Sequence, residues 1–340
     1  MDRSDAYGGR VYYEPGCFDA PYFGRVEVVE LGGCHIADSD LEHVSSFFGL
    51  KYLGLSDTAI TDDGLALIGC LSDLDWLVLS DTGVTDAGLV NVKHYPSLER
   101  LDLHGTAVTS AGIGHLLILR RLKEVDLRDS AVDDSGLALL KQLETLEILK
   151  LDGTSISDVG VVELKDLPRL SWLSLGRTEI SDEGLSRLAA FNCINVLELS
   201  ETAITDNGLQ CMRWMGQRLT CLDLSGTHIT DEGLVQLEGL QDLKDLFLQR
   251  TAITDVGLRS ISKLRSLEWL YLDEAQLHGG NLECLMDLPN LERLFIRHTD
   301  ITEEQVNRLQ QMMPDLWIVW TPRSGEADTD KGGLGSELEQ

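Results

Sequence analysis

One spacing of leucines and polar residues recurs along most of this chain. In its clearest copy it reads Leu-x-x-Leu-x-Leu-x-x-Thr-x-Ile-x-Asp-x-Gly-Leu and runs from Leu50 through Thr58 to Leu65. The threonine position returns every 24 residues, and one extra residue near 213–217 shifts the later copies by one. Its occupants are Cys34, Thr58, Thr82, Thr106, Ser130, Thr154, Thr178, Thr202, Thr227, Thr251, Ala275 and Thr299. A fixed period of this length predicts a solenoid, in which each copy forms one coil and buries its apolar side against its neighbours.

Each copy divides into a strand and a short helix. Leucines eight, five and three residues before the threonine predict a strand with its leucines inward, and the threonine hydroxyl is expected to bond backbone groups of the following turn. Three residues after the threonine comes a Thr or Ser suited to cap a helix, as at Thr61, and the next residue, Asp62, suits the positive end of the helix dipole. The glycine two residues later, Gly64, predicts a close approach between the backbones of adjacent coils.

These motifs resemble those of bacterial leucine-rich repeat proteins of the T-x-I-T-D-x-G-L type, which are related to the cysteine-containing repeats of F-box receptors. The resemblance covers roughly residues 26–320. It implies an α/β fold, a leucine-rich repeat solenoid or horseshoe with a parallel β-sheet on the concave face and short helices on the convex face. We expect an aromatic N-terminal cap at 1–25, a solenoid of about twelve repeats with a closing strand at 26–321, and a disordered acidic tail at 322–340.

The charge of the chain narrows the class of partner. It carries 28 Lys and Arg residues against 57 Asp and Glu residues, a formal net charge of −29. Because phosphate binding needs clustered Lys and Arg, this balance disfavours nucleic acid and favours a protein partner with a basic surface. The recurrent Asp is assigned to helix capping, so we expect no metal site, and no nucleotide-binding or zinc motif predicts a cofactor.

Cysteine content and hydropathy bear on the compartment. Seven cysteines occur without paired spacing, which favours free thiols in a reducing compartment. The first 30 residues hold no apolar run long enough for a signal peptide, and no segment is long and apolar enough to span a bilayer. We therefore predict a cytoplasmic protein, with membrane association only if the full protein begins upstream. The sequence leaves the oligomeric state open.

The middle of the predicted concave face is charged. Strand residues six, four and two positions before the threonine alternate with the leucines and should form rows across this face. The rows contain Arg100 and Glu124, then Asp102, Asp126 and Lys150, then His104, Arg128 and Asp152. Asp102 and Asp126 near His104 would suit acid–base catalysis, so a hydrolase is an alternative. The nearby cations and the flat sheet favour instead a non-catalytic surface that selects partners by charge.

The C-terminal part of the same face is aromatic. Its rows contain Phe247, Tyr271 and Phe295, with Trp269 beside them and Arg293, Arg297, Asp273 and Gln249 around them. The leucines already supply the core, so these aromatics are expected at the surface. Aromatic and Arg side chains within a polar rim are typical of protein-binding hot spots. The alternative is that the C-terminal tail or a neighbouring molecule covers them.

We therefore predict a non-catalytic scaffold for protein–protein interaction, not an enzyme, with the partner on the concave face. The predicted partner-binding residues are Phe247, Trp269, Tyr271, Arg293, Phe295, Arg297, Asp273, Arg100, Asp102, Asp126 and Arg128. The resemblance to F-box receptors leaves a second alternative, a substrate-recognition adaptor of a ubiquitin-ligase-like complex. Only about 25 residues precede the repeats, which is short for a helical recruiting module and disfavours the adaptor.

Overall fold

The strands of this protein form a single continuous sheet. A computed structural model describes residues 26–323, except residues 192, 216 and 217 and the side chain of Trp214. Within this range thirteen strands form one parallel sheet and follow one another across it in chain order. The predicted α/β solenoid is therefore confirmed, with one strand in each coil. The predicted cap at 1–25 and residues 324–340 of the predicted tail lie outside the described residues, whereas Pro322, assigned to the tail, is the last residue of the final strand.

The strands are short and evenly spaced. They are β1 (Val28–Glu30), β2 (Tyr52–Gly54), β3 (Trp76–Val78), β4 (Arg100–Asp102), β5 (Glu124–Asp126), β6 (Ile148–Lys150), β7 (Trp172–Ser174), β8 (Val196–Glu198), β9 (Cys221–Asp223), β10 (Asp245–Phe247), β11 (Trp269–Tyr271), β12 (Arg293–Thr299) and β13 (Trp317–Pro322). Asp102 of β4 pairs with Asp126 of β5, a spacing of 24 residues. Val196 of β8 pairs with Cys221 of β9, a spacing of 25. The extra residue therefore lies between β8 and β9 and not within a strand, so the residues of both strands stay in the same rows across the sheet.

The core consists of the predicted leucines. In the second coil Leu50, Leu53 and Leu55 are 0% exposed, and Leu65 and Ile68 close the same coil from the helical side. Burying one such side chain contributes roughly 1.5–3 kcal/mol relative to leaving it exposed. Each coil buries these side chains against the neighbouring coils. The molecule is therefore stabilised mainly by the stacking of coils and not by any long helix.

Short helical segments follow the strands on the other side of each coil. The α-helices are α1 (Leu41–Val44), α2 (Asp62–Leu67), α3 (Ser110–Leu116), α4 (Asp134–Leu140), α5 (Asp182–Leu188), α6 (Asp206–Leu209), α7 (Asp231–Leu234), α8 (Leu258–Ile261) and α9 (Glu303–Met312). The 3-10 helices are Asp38–Asp40, Gly88–His94, Gly160–Asp166, Met212–Trp214, Val235–Gly239 and Leu282–Asp287. Among the helices described, none combines the length and apolar character needed to cross a bilayer.

The predicted helix caps are present. The Thr109 hydroxyl, at the N-cap of α3, accepts a hydrogen bond from the backbone N of Ala111 at 3.2 Å. Ser181 caps α5 in the same way, accepting from the backbone N of Glu183 at 3.3 Å. These oxygens supply acceptors for backbone N–H groups that have no partner inside the helix.

The hydroxyls of the threonine column close the turns after most strands, those after β1 and β11 excepted, where Cys34 and Ala275 occupy the column. The Thr82 hydroxyl donates to the carbonyl O of Leu79 at 2.6 Å, and the buried Thr227 hydroxyl donates to the carbonyl O of Leu224 at 2.6 Å. The residue before Thr82, Asp81, has a φ of 55°, in the left-handed region. The predicted role of the hydroxyl is confirmed, because it gives a buried turn carbonyl a donor.

The Asp that the sequence assigned to helix capping instead ties most coils to the next. The Oδ1 atom of Asp62 accepts a hydrogen bond from the backbone N of Thr85 at 2.7 Å, and its Oδ2 atom accepts one from the Thr85 hydroxyl at 2.7 Å. A Cβ atom on Gly88 would lie 2.3 Å from Asp62 Oδ1. The close approach predicted at the motif glycine is found, but the closest atom belongs to a carboxylate and not to the backbone. We call this contact of Asp, Thr or Ser, and Gly the Asp bridge.

The Asp bridge recurs along the solenoid. Further examples are Asp38–Thr61–Gly64, Asp86–Thr109–Gly112, Asp134–Ser157–Gly160, Asp158–Ser181–Gly184, Asp182–Thr205–Gly208, Asp206–Thr230–Gly233 and Asp231–Thr254–Gly257. One coil exchanges the two polar residues. There Ser110 Oγ donates to Asp133 Oδ1 at 2.6 Å, and the backbone N of Asp133 donates to Ser110 Oγ at 2.9 Å. The link between coils therefore depends on the hydrogen-bonded pair, in either order.

The C-terminal end of the solenoid is closed by α9 and β13. β13 pairs with β12, and Trp317 lies beside Arg293. The indole N of Trp320 donates to the carbonyl O of Ile301 at 3.0 Å, and its ring packs against the core. This side chain covers leucines that would otherwise face solvent at the end of the last coil.

Candidate functional site

The concave face is made of strand residues that alternate with buried ones. In β12, Phe295 is half-buried, whereas Leu294 before it is 0% exposed. Strand pairing places Phe247 beside Tyr271, and Tyr271 beside Phe295. The rows predicted from the sequence therefore run across the sheet.

Three aromatic rings stack along one of these rows, and we call them the aromatic ladder. The ring centroids of Phe247 and Tyr271 lie 4.2 Å apart with an interplanar angle of 12°, and those of Tyr271 and Phe295 lie 4.2 Å apart at 5°. Each ring covers a face of its neighbour, so the ladder presents ring edges to solvent. Burial raises the pKa of Tyr271, which keeps its phenol protonated and able to donate a hydrogen bond.

A fixed cation lies beside the ladder. The guanidinium carbon of Arg293 lies 4.4 Å from the ring centroid of Trp269 and 4.9 Å from that of Trp317. Arg293 is thus held between two indoles by cation–π contacts, and it has no carboxylate partner among the described residues. Trp317 remains 49% exposed and extends the apolar surface to the last strand.

Arg297 is held by an acid. Its Nε donates to Asp273 Oδ2 at 2.9 Å, and its backbone N donates to Asp273 Oδ1 at 2.6 Å. Asp273 is buried, whereas Arg297 is exposed. Both residues are predicted partner-binding residues. Only Arg297 is exposed to a partner, and Asp273 orients the Arg297 side chain.

The central charges also form pairs. The buried Asp126 accepts from Arg128 Nε at 2.9 Å, and Lys150 Nζ lies 3.7 Å from its Oδ2 atom. Glu124 Oε1 lies 3.2 Å from Lys150 Nζ, and Glu124 Oε2 lies 3.7 Å from Arg100 Nε. Every carboxylate of β5 therefore has a cationic neighbour. This part of the face can therefore orient a charged partner.

The three residues considered for hydrolysis do not form a catalytic arrangement. Asp102 accepts from the backbone N of His104 at 2.9 Å, and burial raises the pKa of Asp102. The His104 ring points elsewhere, with Nδ1 3.2 Å from the carbonyl O of Arg128 and 3.7 Å from Asp129 Oδ2. No described contact joins the imidazole to Asp102 or Asp126, so the geometry gives no support to the hydrolase alternative.

Two further carboxylates lie next to the aromatic ladder, and we call Glu198 and Asp223 the acidic pair. Strand pairing places Glu198 beside Asp223, and Asp223 beside Phe247. Asp223 accepts from the Ser225 hydroxyl at 2.5 Å, and the Ser174 hydroxyl contacts Glu198 while donating to Asp152 at 2.5 Å. Among the described residues neither carboxylate of the acidic pair forms an ion pair.

The acidic pair is electrostatically unfavourable in the free protein. Burial raises the pKa of Glu198 and of Asp223 above the usual range of these groups. Repulsion between the two carboxylates contributes to the pKa of Glu198, and Asp152 raises the pKa of both. A carboxylate without a cationic partner in a half-buried position is a candidate for a binding contact.

Cysteine and metal chemistry do not mark a second site in the described range. There, no three His, Cys, Asp or Glu side chains are grouped so as to hold a metal ion. The six cysteines of this part of the chain are free thiols. Burial raises the pKa of Cys221, on β9 beside the acidic pair, to about 12, so it stays protonated near neutral pH.

Comparison with known proteins identifies the architecture. A family model described as leucine rich repeat matches residues 217–277. An internalin from Listeria monocytogenes str. 4b F2365 is similar in structure over 86% of this chain and 86% of its own, at 21% identity and a TM-score of 0.61. The fold is a leucine-rich repeat solenoid.

Other solved leucine-rich repeat structures are more distant. A protein of this kind from Leptospira interrogans matches over 87% of this chain and 81% of its own, at 19% identity and a TM-score of 0.49. The plant peptide hormone receptor RGFR1, solved in complex with RGF2, matches over 83% of this chain and 57% of its own, at 14% identity and a TM-score of 0.39. No curated protein sequence matches this chain significantly.

The sequence did not single out two features of this leucine-rich repeat surface. Trp317 was assigned only to the closing strand, although that strand continues the repeat phase and places Trp317 in the row of Trp269 and Arg293. Glu198 and Asp223 have the same strand position as the predicted Asp102 and Asp126. The 24-residue spacing, continued across the extra residue near 213–217, places Glu198 and Asp223 in the row of Phe247, Tyr271 and Phe295.

Proposed function

We propose that this protein is a non-catalytic scaffold that binds another protein on its concave face. The aromatic ladder with Arg293 supplies most of the affinity in this proposal. The observation that supports it is a cluster of large aromatic side chains on the solvent side of a sheet whose opposite side already holds the core. Such clusters, framed by polar groups, are typical of binding hot spots.

The cluster is organised before any partner binds. Phe247, Tyr271 and Phe295 support one another by stacking, and Arg293 is held by two indoles. Side chains that are already fixed lose little conformational freedom on binding, which favours affinity. Arg100, Asp102 and Arg128 lie four or more strands away and would set the orientation of a larger partner by charge.

Further properties belong to the same proposal. We assign the repeats to the T-x-I-T-D-x-G-L type related to the repeats of F-box receptors, and residues 1–25 and 324–340 to a cap and an acidic tail. The six cysteines of the described residues are free thiols, which supports a reducing, cytoplasmic location. The net charge of −29 supports a partner with a basic surface. The adaptor role stays a prediction that the described residues do not test.

The proposal predicts that removing the central ring of the ladder weakens binding. Tyr271→Ala should weaken partner binding by about 2 kcal/mol or more, roughly 30-fold, because truncated hot-spot aromatics cost this much. Quantitative affinity capture with wild-type and Tyr271→Ala protein as bait measures the difference. Val256→Ala is the control, since Val256 is 62% exposed and lies in the turn before α8, away from the sheet. Equal capture by wild type and Tyr271→Ala, with loss in Val256→Ala, would place the binding surface elsewhere.

A further inference from the structure

We propose that the segment bound on the concave face carries a Lys or Arg side chain that pairs with the acidic pair. A large apolar side chain three or four residues away in the same segment packs on the aromatic ladder. This inference rests on the proposed function and specifies the chemistry of its partner: an extended basic–apolar protein segment that crosses β8 to β12.

The acidic pair and the aromatic ladder belong to one row of residues across the sheet. Glu198 pairs with Asp223, Asp223 pairs with Phe247, and Phe247 pairs with Tyr271. Adjacent strands lie roughly 4.8 Å apart, so the midpoint of the acidic pair is about 12 Å from Tyr271 along the row. An extended peptide advances about 3.3 Å per residue, so three or four residues span this distance.

The charge on this row lacks a counterpart within the protein. In the centre of the face, Arg100, Arg128 and Lys150 approach the carboxylates of β5. At the acidic pair the direct polar contacts come from the hydroxyls of Ser174 and Ser225 and from the backbone N–H of Ser225, none of which carries a positive charge. Partial burial makes an unpaired carboxylate costly. A cation from a partner would offset that cost, which favours a basic segment over a neutral or acidic one.

Other groups face the acidic pair from neighbouring strands. Asp152, beyond the end of β6, adds negative charge, whereas Lys150 on β6 and Arg250 after β10 act on the acidic pair only at longer range. The summed local charge is therefore negative. A ligand cation placed there would interact with several carboxylates at once.

We assign the apolar side chain of the partner segment to the aromatic ladder and not to the indoles of Trp269 and Trp317. Arg293 already occupies faces of Trp269 and Trp317, so a ligand cation does not find an open aromatic face there. The ladder offers ring edges and the Tyr271 hydroxyl, which suit an apolar side chain and one backbone hydrogen bond. The cationic and apolar contacts of the partner are thus assigned to opposite ends of the row.

The test begins with peptides selected from a random library displayed on phage, using the full chain as bait. Enriched peptides should share a Lys or Arg three or four residues from Phe, Leu, Met or Trp. One such peptide is synthesised, and its dissociation constant is measured by calorimetry with wild type, Tyr271→Ala and the double variant Glu198→Gln/Asp223→Asn. Glu232→Gln is the control, because Glu232 is an exposed acid on α7 away from the sheet.

The double variant should bind the peptide at least tenfold more weakly than wild type, and Glu232→Gln should bind within twofold. Replacing the peptide's basic residue with norleucine should cause the same loss in wild type and no further loss in the double variant. Wild-type affinity should also weaken as the pH falls through the raised pKa values of the acidic pair, because protonation removes the attraction. Retained far-ultraviolet circular dichroism and cooperative thermal unfolding confirm that the variants are folded.

The outcomes separate this inference from the proposed function. If Tyr271→Ala weakens binding and the double variant does not, the basic contact is overturned and the binding surface stands. If neither change affects affinity, both are overturned. A selection that enriches only uncharged or acidic peptides, or none above background, also overturns the inference.

Discussion

Gly112 and Gly114 lie two residues apart in α3, yet their surroundings differ. A Cβ atom on Gly112 would lie 2.3 Å from Asp86 Oδ1, whereas no atom lies within 4 Å of a Cβ atom on Gly114. The motif glycine is thus required by the carboxylate of the preceding coil. Because this carboxylate also binds Thr109, the Asp, the Thr and the Gly of the motif form one contact between coils.

This contact predicts opposite effects for two similar substitutions. Gly112→Ala should lower the free energy of unfolding by about 1–3 kcal/mol, because the added methyl group overpacks the Asp bridge. Gly114→Ala should raise it by up to about 1 kcal/mol, since alanine is the better helix former. Chemical denaturation of the two variants measures both effects. Changes of the same sign and size would contradict the carboxylate explanation.

The exchanged pair Ser110 and Asp133 offers a second test of the Asp bridge. Ser110→Asp places two carboxylates together, and Asp133→Thr removes the carboxylate that accepts from Ser110, so each change should cost about 1–2 kcal/mol. The double variant Ser110→Asp/Asp133→Thr recreates the usual order and should recover most of the loss. A double-mutant cycle by chemical denaturation measures the coupling. Additive losses would show that the two positions act independently.

Among the strands, the rows across the sheet decide which charges are compensated. The carboxylates of β5 face Arg or Lys, whereas those on β8 and β9 face each other. Stability and binding are therefore expected to conflict at Glu198. The group is unfavourable in the free protein and becomes favourable once a cation binds to it.

Glu198→Gln should for this reason stabilise the free protein at neutral and basic pH. The pKa of Glu198 is raised on folding, so its charged form penalises the folded state above that pKa, and the penalty disappears below the ordinary pKa, where both states are protonated. The unfolding midpoint of Glu198→Gln should exceed that of wild type by about 1–2 °C at pH 8 and match it at pH 4. Calorimetric scans against pH measure this, with Glu232→Gln as the control. A lower midpoint at pH 8 would show that Glu198 stabilises the fold.

The strands, their register and the buried leucines could be predicted because each coil contacts coils at a fixed sequence distance. The 24-residue period therefore predicts which strand residues pair, and the alternation of leucines with polar residues predicts which are buried. Leu53 and Leu77 are an example, since they pair and are both 0% exposed. The Thr turn and the helix caps were predictable for a local reason, because the hydrogen-bonding partners lie within three residues of each other.

The remaining features depend on side-chain directions that a pattern does not encode. The sequence predicted close packing at Gly88 but not that the Asp62 carboxylate would be the contacting group. It placed Asp126 and Asp273 on the concave face and predicted cations beside Asp126, although the burial of both carboxylates and the pairing of Asp273 with Arg297 emerge only from the packed side chains. The use of this face by a partner stays a prediction.

At the scale of the described molecule, an acidic solenoid carries an apolar region at the C-terminal end of its sheet. With a net charge of −29, it should attract basic partners at long range and lose this attraction as salt is added. The aromatic ladder and Trp317 then provide short-range apolar contact at the C-terminal end of the face. Binding on the concave side is the central claim of this account.

Hydroxyl-radical footprinting of the free and bound protein tests that claim most directly, because it locates the covered surface without any substitution. The peptide from the library selection, or a purified captured partner, is added at saturation, and labelling is measured by mass spectrometry. Labelling of Tyr271, Phe295 and Trp317 should fall severalfold, while Met286, which is 51% exposed on the helical side, should be labelled as before. Protection of Met286 with unchanged labelling of the three aromatic residues would contradict the account.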